Sequence, residues 1–178
     1  MKTEQHKLHA YTGDGKGKTT AAMGLALRAT GHGQRVLVAQ FMKKGNSGEL
    51  IAFSKFENVC IMTAEPIKNF TSCMTCEERM STYAEQTAFA HAVDTKISMW
   101  HPEMIILDEL GIALALDMVD EQSSSILINN ALKAGETVVT GRIIPEWLLQ
   151  KADYLSRIKA EKHPFQAEKL SAREGVEW

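Results

Sequence analysis

The sequence predicts an α/β protein whose mostly parallel sheet carries helices on both faces. Apolar, strand-like runs alternate along the chain with segments of helical period, which is the order that a parallel sheet requires. The first unit comprises a strand at residues 8–11, which we expect to be central, a helix at 21–29 and a buried strand at 35–41. Two strands joined by a helix within about 35 residues form a parallel pair with a right-handed crossover.

A glycine- and lysine-rich loop separates the first strand from the first helix. Its residues are Thr12, Gly13, Asp14, Gly15, Lys16, Gly17, Lys18, Thr19 and Thr20. Glycines allow backbone N–H groups to converge on an anion, and a helix N-terminus adds donors and the positive end of a dipole. A strand, such a loop and a helix that begins with Lys-Thr predict a P-loop NTPase-like (RecA-like) nucleotide site. In such a site Lys18 reaches the terminal phosphates and the Thr19 hydroxyl ligates Mg²⁺.

The spacing of this loop departs from the common phosphate-binding pattern, in which a glycine stands four residues ahead of the Gly-Lys-Ser/Thr group. Counted back from Gly17, that first glycine falls at Thr12, and Gly13 is one residue too close. Either the loop begins with a residue other than glycine, or it is one residue shorter than usual. A shorter loop would hold the phosphates differently. The strand–loop–helix context disfavours the alternative of a lysine-rich turn without a ligand.

A second group of polar residues follows the apolar strand predicted at residues 104–109, which ends in Asp108 and Glu109. Carboxylates at the end of a strand beside the phosphate loop are positioned to hold Mg²⁺ directly or through water. Ligands of open α/β sheets lie at the carboxyl ends of strands. The polar loop at 43–49 is therefore expected to form a second wall of the site, and Arg142, which follows a later strand, to contact an anion.

The other elements are predicted from local signals. Thr75 and Glu78 form a capping box for a long helix at 77–100. The face of this helix is expected to carry Met80, Tyr83, Ala84, Thr87, Ala88, His91 and Ala92. Further strands are predicted at 59–63, 137–141 and 154–158, and further helices at 47–56, 121–134 and 145–152.

With 178 residues, 44% of them hydrophobic and 24% charged, the chain is expected to form one globular domain, 1–178. The net charge of -2 argues against nucleic acid as a partner. No run approaches the ~20 apolar residues of a membrane span, and the N-terminus lacks the apolar core of a signal peptide. Three cysteines indicate a reducing cytoplasm. Cys73 and Cys76 have the spacing of a zinc-binding pair but lack the second pair that such sites usually need.

Beyond these patterns, the residues closely resemble the corrinoid adenosyltransferases, a family that acts on ATP and cobalamin. The resemblance spans nearly the whole chain. It is most specific in the short glycine-rich loop followed by the Gly31-His32-Gly33 turn. The matching segments are 11–33, 40–41 with the following lysines, 48–49, 106–110, 140–142 with Pro145, 152–153, 162–165 and 175–178.

The resemblance implies transfer of the 5′-deoxyadenosyl group of ATP to the cobalt of a reduced corrinoid, cobalamin or cobinamide, with release of triphosphate. On matching positions it assigns the triphosphate to residues 13–20 and a nucleotide contact to Arg142. It makes Lys18 and Glu109 the catalytic residues. It makes Thr19 and Glu109 the ligands of Mg²⁺. It further implies a homodimer and an external flavoprotein reductant.

The chain departs from the family pattern at Arg157, at Glu168 and in the segment that would cap the corrinoid. In the family, a Phe that caps the corrinoid is followed two residues later by a Trp, whereas Phe70, the expected corrinoid contact here, is followed by Ser72. Two other hypotheses therefore stay open. A small-molecule kinase of the same broad fold, directed at a nucleoside, would produce ADP. A nucleotide-dependent corrinoid-binding protein would bind both ligands without turnover.

Overall fold

The computed structural model describes residues 6–43, 47–67, 71–162, 164 and 172–176. Its strands are β1 (Leu8–Thr12), β2 (Val36–Gln40), β3 (Val59–Thr63), β4 (Met104–Asp108), β5 (Glu136–Gly141) and β6 (Tyr154–Arg157). Its α-helices are α1 (Lys18–Gly31), α2 (Gly48–Phe53), α3 (Cys76–Trp100), α4 (Leu110–Ala115), α5 (Glu121–Ala134) and α6 (Glu146–Lys151). Apart from α4, these are the predicted elements, with ends shifted by a few residues.

The described strands form one sheet in the order β3-β2-β4-β5-β1-β6. Every pairing in it is parallel, so the prediction of a mostly parallel sheet is confirmed. The prediction that β1 is a central rather than an edge strand is confirmed, because β1 pairs on both sides, with β5 and with the edge strand β6. The final strand, short and exposed along its whole length, is what places β1 inside the sheet rather than at its edge.

Helices cover both faces of the sheet, as predicted. On one face, α1 and α2 pack on alternate residues of the central strands, such as Val38 and Ile106. On the other face, α3 to α6 pack on the residues between them, such as Leu37 and Ile105. Strands β2 and β4 are buried along their whole length, which explains their continuous apolar runs.

The face predicted for α3 is not the face that the helix buries. Met80 and Tyr83 are 69% and 39% exposed. The residues that α3 buries are Thr82, Gln86, Ala90, Val93 and Ile97. Two of them are polar, and the Gln86 side-chain oxygen accepts the backbone N–H of Met42 at 3.1 Å. A buried glutamine that pairs a backbone donor of another element breaks the apolar period from which the face was predicted. The capping box at the start of α3 is confirmed, with bonds of 2.8 and 3.2 Å.

Helix α4 is not predicted by its residues, because they are apolar almost throughout and show no helical period. It begins directly after Glu109, whose left-handed backbone (φ 62°) turns the chain out of β4. No helix within the described ranges is both long and apolar enough to cross a membrane.

Candidate active site

The carboxyl ends of the inner strands meet at one edge of the sheet. Gln40 of β2 is aligned with Asp108 of β4, and Thr12 of β1 with Gly141 of β5. The glycine-rich loop leaves the same edge and leads into α1. The edge therefore brings the predicted phosphate loop and the predicted carboxylates together, as parallel strands require.

The glycine-rich loop runs from Gly13 to Gly17. Thr12 still pairs as the last residue of β1, so the loop is one residue shorter than the common pattern. This decides between the two alternatives that the spacing left open. Gly13 and Gly17 have φ of 114° and 118°, in the region that favours glycine. Helix α1 begins at Lys18, with Thr19 in its first turn, as predicted.

The chain that continues beyond β6 holds the loop in shape. The N–H of Gly15 donates to the Ile158 oxygen at 2.9 Å, and the N–H of Ile158 donates to the Thr12 oxygen at 2.8 Å. The carboxylate of Asp14, a predicted nucleotide contact, accepts the N–H of Ala160 at 3.2 Å. Asp14 therefore ties the loop to the chain after β6, whatever its contact with a nucleotide.

Replacing Gly13 by alanine is expected to lower the free energy of unfolding by about 2 to 4 kcal/mol. A Cβ at this position would lie 2.3 Å from the backbone oxygen of Ile158, and the φ of 114° is unfavourable for alanine. Gly24, in the middle of α1, is the matched control, because a Cβ there meets no atom within 4 Å. Gly24→Ala should stabilise the protein by about 1 kcal/mol. Urea unfolding measures both, and an unchanged Gly13→Ala would contradict the assigned loop geometry.

Lys18 lies where positive charge is concentrated. Its Nζ donates to the backbone oxygen of Gly15 at 2.8 Å, which folds the side chain over the loop. Burial lowers the pKa of Lys18, and the charges of Arg142 and Lys43 act in the same direction, against the attraction of Glu109. An anion that enters the loop therefore stabilises the charged form of Lys18.

Arg142 follows β5, and its backbone oxygen accepts the N–H of Gly13 at 3.2 Å and the Thr12 hydroxyl at 3.2 Å. The residue is exposed, and its charge acts on Lys18. Both observations put the predicted anion contact beside the loop. Lys16 and Thr20, the remaining predicted contacts of the loop, are exposed. Phe70 lies outside the described residues.

Asp108 is the centre of the polar network at this edge, and its side chain has no exposed surface. One carboxylate oxygen accepts the hydroxyls of Thr19 at 3.0 Å and Thr140 at 2.6 Å. The other accepts the Gln40 amide at 3.1 Å and the Lys43 ammonium at 2.7 Å. Four donors occupy the lone pairs that an ionised carboxylate offers. The network holds the start of α1 and the ends of β2, β4 and β5 in one arrangement.

Lys43 and Glu109 complete this network. The Lys43 ammonium donates to the Thr19 hydroxyl at 3.0 Å and lies 3.7 Å from a Glu109 oxygen. Burial lowers the pKa of Lys43, but the attraction of Asp108 and Glu109 outweighs it, and the pKa is raised. Burial raises the pKa of Glu109, and the nearby charge of Asp108 adds to this effect, whereas Lys43 opposes it. Glu109 is therefore a carboxylate whose ionised form needs a cation.

Glu109→Gln is expected to raise the melting temperature at neutral pH in metal-free buffer. A raised folded-state pKa means that ionising Glu109 costs stability, and glutamine removes that cost. The gain should be complete above the folded-state pKa and should vanish below the usual value of 4.5, where the carboxyl is protonated in both states. Glu57→Gln, at an exposed position, serves as the control. Melting curves from pH 4 to 8 measure the effect, and a gain that grows toward acid pH would contradict it.

The donor set fits a hard divalent cation. Carboxylate oxygens of Asp108 and Glu109 and the hydroxyl of Thr19 are the ligand types that Mg²⁺ prefers. The Lys43 ammonium lies within 4 Å of all three side chains and occupies the place where a metal ion would bind. Gln40 Oε1, buried without a hydrogen-bond partner among the described residues, is a further acceptor on the same carboxylate network.

Sequence reasoning named Asp108 with Glu109 as a carboxylate that could hold Mg²⁺, but it assigned no individual role to Gln40, Lys43 or Thr140. Gln40 lies at the end of an apolar run and Thr140 lies within a strand, so neither belongs to a motif that would indicate a role. What sequence reasoning missed in Asp108 is its network of four donors, which its position as the last residue of a fully buried strand could have indicated. A carboxylate with no exposed surface requires several donors, and in this sheet those come from the neighbouring strands.

Comparison with known proteins finds one family that matches nearly the whole chain. The family described as ATP:corrinoid adenosyltransferase BtuR/CobO/CobP matches residues 4–178. The corrinoid adenosyltransferase of Escherichia coli strain K12 is 31% identical over 175 residues, which cover 94% of this chain and 83% of that protein. That of Pseudomonas aeruginosa is 31% identical over 179 residues, or 98% and 85%. Corrinoid adenosyltransferase CobA of Salmonella typhimurium is 31% identical over 173 residues, or 94% and 83%.

The family match covers residues 4–178. It agrees with the structure, in which the short loop lies beside Glu109 and the buried Asp108. The chain belongs to the ATP:corrinoid adenosyltransferase family and is a transferase that moves the adenosyl group of ATP to a reduced corrinoid.

Proposed function

We propose that the carboxyl edge of the sheet is where this protein uses ATP as an alkyl donor, and that its residues act chiefly on the leaving triphosphate. The observation that carries this proposal is the short loop itself. Beside it, the Thr19 hydroxyl donates a hydrogen bond to Asp108 at 3.0 Å, and the charges of Lys18 and Glu109 interact. Hydroxyl, ammonium and carboxylate groups that converge at a loop of this kind suit a polyphosphate with its metal ion.

The reaction is balanced as a displacement at carbon. The electron pair of the reduced corrinoid cobalt forms a bond to the ribose C5′ of ATP. The bond from C5′ to the phosphate oxygen breaks, and its electron pair leaves on the triphosphate. Negative charge therefore grows on the phosphate chain in the transition state, and groups that bind this charge more tightly there accelerate the reaction.

The predicted residues of the loop and its surroundings bind that charge. The N–H groups of Gly13 and Gly15 already donate within the protein, so the other backbone donors of residues 13–20 and the ammonium of Lys18 contact the triphosphate. Arg142 contacts the nucleotide from the end of β5.

Thr19 and Glu109, with Asp108 behind them, would hold Mg²⁺. When bound, this ion supplies Lewis-acid stabilisation of the phosphate oxygens. Burial raises the pKa of Glu109, so a bound cation would stabilise its ionised form.

We assign Phe70 to the corrinoid side of the site, as the apolar side chain that excludes water beside the reacting cobalt. The support for this is that Phe70 stands where the family pattern has the Phe that caps the corrinoid, with Ser72 in place of the Trp that follows it there. Residues 1–178 act as a single domain, two copies form a homodimer, and a flavoprotein supplies the electron in the cytoplasm. These last proposals rest on the family resemblance and, for the cytoplasm, on the odd number of cysteines. Sedimentation of the purified protein tests the dimer.

A turnover assay tests the proposed reaction. Protein, MgATP and chemically reduced cob(I)alamin or cobinamide should yield the adenosylated corrinoid, visible by its absorption spectrum, together with free triphosphate. Formation of ADP without a cobalt–carbon bond would favour a kinase. Binding of both substrates without any product would favour a corrinoid carrier. Either result would overturn the proposal.

A further inference from the structure

The four donors to Asp108 differ in how easily they can leave. Thr140 and Gln40 have no exposed surface and belong to strands of the sheet. Thr19 belongs to the first turn of α1. Lys43 alone of the four carries a charge, and its side chain is 31% exposed and follows the end of β2. Its long, flexible side chain can therefore move without any change in the sheet.

Lys43 occupies the position that a metal ion needs. Its ammonium contacts Asp108 and Thr19 at 2.7 and 3.0 Å and lies 3.7 Å from Glu109. These are the oxygen donors that fit Mg²⁺, and the lone pairs of Asp108 are all in use. A divalent ion can reach these oxygens only after the ammonium has left, because two cations cannot share one set of donors at such distances.

We propose that Lys43 is a tethered cation that fills the metal position of the nucleotide-free protein, so that Mg²⁺ enters only together with ATP. This inference rests on the proposed function, in which Thr19, Glu109 and Asp108 hold the ion. Free Mg²⁺ would expel the Lys43 ammonium toward the positive charge of Lys18, which Arg142 already opposes, and away from Asp108 and Glu109. Glu49 is a carboxylate that would still lie within electrostatic reach. ATP brings its own negative charges, and these give the displaced ammonium a new partner in the same site.

The arrangement has two consequences for the protein. The buried Asp108 always has a cationic partner, which avoids the cost of an unpaired buried charge before substrate binds. Metal binding and nucleotide binding are coupled, because ATP makes it easier for Mg²⁺ to displace Lys43, and by linkage Mg²⁺ then strengthens the binding of ATP by the same factor. The protein would thus stay free of metal when ATP is absent.

Binding of Mn²⁺ to the nucleotide-free protein tests the proposal, with electron paramagnetic resonance to count free Mn²⁺. Lys43→Met keeps the length of the side chain and removes its charge. We expect this variant to bind Mn²⁺ at least about tenfold more tightly than the unaltered protein. Lys55→Met, at an exposed position after α2, is the control for loss of a lysine and should leave the affinity unchanged.

A second readout covers the event that Lys43→Met folds poorly. Loss of the ammonium should lower the melting temperature in metal-free buffer, and Mn²⁺ alone should restore it, because a ligand that binds only the folded state stabilises it. The unaltered protein should gain little from Mn²⁺ alone and much more from Mn²⁺ with ATP. Lys43→Gln, which keeps a polar end group, provides an independent variant for both measurements.

Two results would overturn the proposal. One is equal Mn²⁺ affinity in Lys43→Met and the unaltered protein. The other is a gain in affinity that persists when Glu109→Gln is added to Lys43→Met, because the metal would then lie elsewhere. Adenosyl transfer by the unaltered protein is measured separately. Turnover with unchanged Mn²⁺ affinity in the variant contradicts only the role of Lys43, whereas absence of turnover contradicts the proposed function itself.

Discussion

Replacing Lys18 by alanine is expected to lower adenosyl transfer by at least about 100-fold. The Lys18 side chain lies over the glycine-rich loop, and its Nζ donates a hydrogen bond to the Gly15 oxygen at 2.8 Å. Its pKa is lowered by burial and by the charges of Arg142 and Lys43, so an arriving anion removes an unfavourable interaction. The negative charge on the triphosphate is greatest in the transition state, so the loss should fall on kcat more than on KM.

The control for Lys18→Ala is Lys55→Ala, which removes an exposed lysine away from the loop and should keep full activity. Steady-state kinetics with saturating reduced corrinoid give kcat and KM for ATP. A loss confined to KM would mean that Lys18 binds ATP equally well in the ground state and in the transition state. Full activity would rule out the assigned role.

Asp108→Asn is expected to lower the free energy of unfolding by about 2 to 4 kcal/mol. Asparagine has the shape of aspartate, but one of its two terminal groups is a donor. In a position where both carboxylate oxygens accept from two donors each, that amide group faces donors and leaves them unpaired. The Asp108 side chain has no exposed surface, so water does not readily take the place of the lost acceptor.

Asp117→Asn is the matched control for this change, because Asp117 is exposed and asparagine accepts its left-handed backbone (φ 53°). It should change stability by less than about 0.5 kcal/mol. Urea unfolding of both variants, monitored by circular dichroism, measures the difference. If Asp108→Asn were as stable as the control, the hydrogen bonds of Asp108 would not stabilise this edge of the sheet.

Asp108→Asn should also lose turnover, since the Thr19 hydroxyl and the Lys43 ammonium lose their common partner.

Local signals were sufficient for most of the fold. The strand–loop–helix at the start, the capping box of Thr75 and Glu78, and the apolar strand before Glu109 each depend on residues close together in the chain. Such patterns report which backbone shape a segment prefers. They also indicated the correct edge of the sheet, because parallel strands gather their carboxyl ends.

Contacts between distant elements could not be predicted in the same way. Gln86 is buried because it pairs the backbone of Met42, 44 positions away, and nothing in α3 itself announces that partner. Lys43 meets Asp108 because β2 and β4 are neighbours, and strand order is not written in either strand. Likewise, Ile158 closes on Gly13 only because β6 pairs with β1. The chemistry of single residues was therefore predictable, whereas the network that connects them required the register of the sheet.

The most direct test of ATP as an alkyl donor is the fate of its phosphates, followed by ³¹P nuclear magnetic resonance during turnover with reduced cobalamin. The account predicts intact triphosphate in an amount equal to the adenosylcobalamin formed, with no ADP. Every phosphorus–oxygen bond of the chain then survives, and only the bond at C5′ breaks. ADP or free phosphate formed in step with product would contradict the account, because cleavage would then have occurred within the phosphate chain.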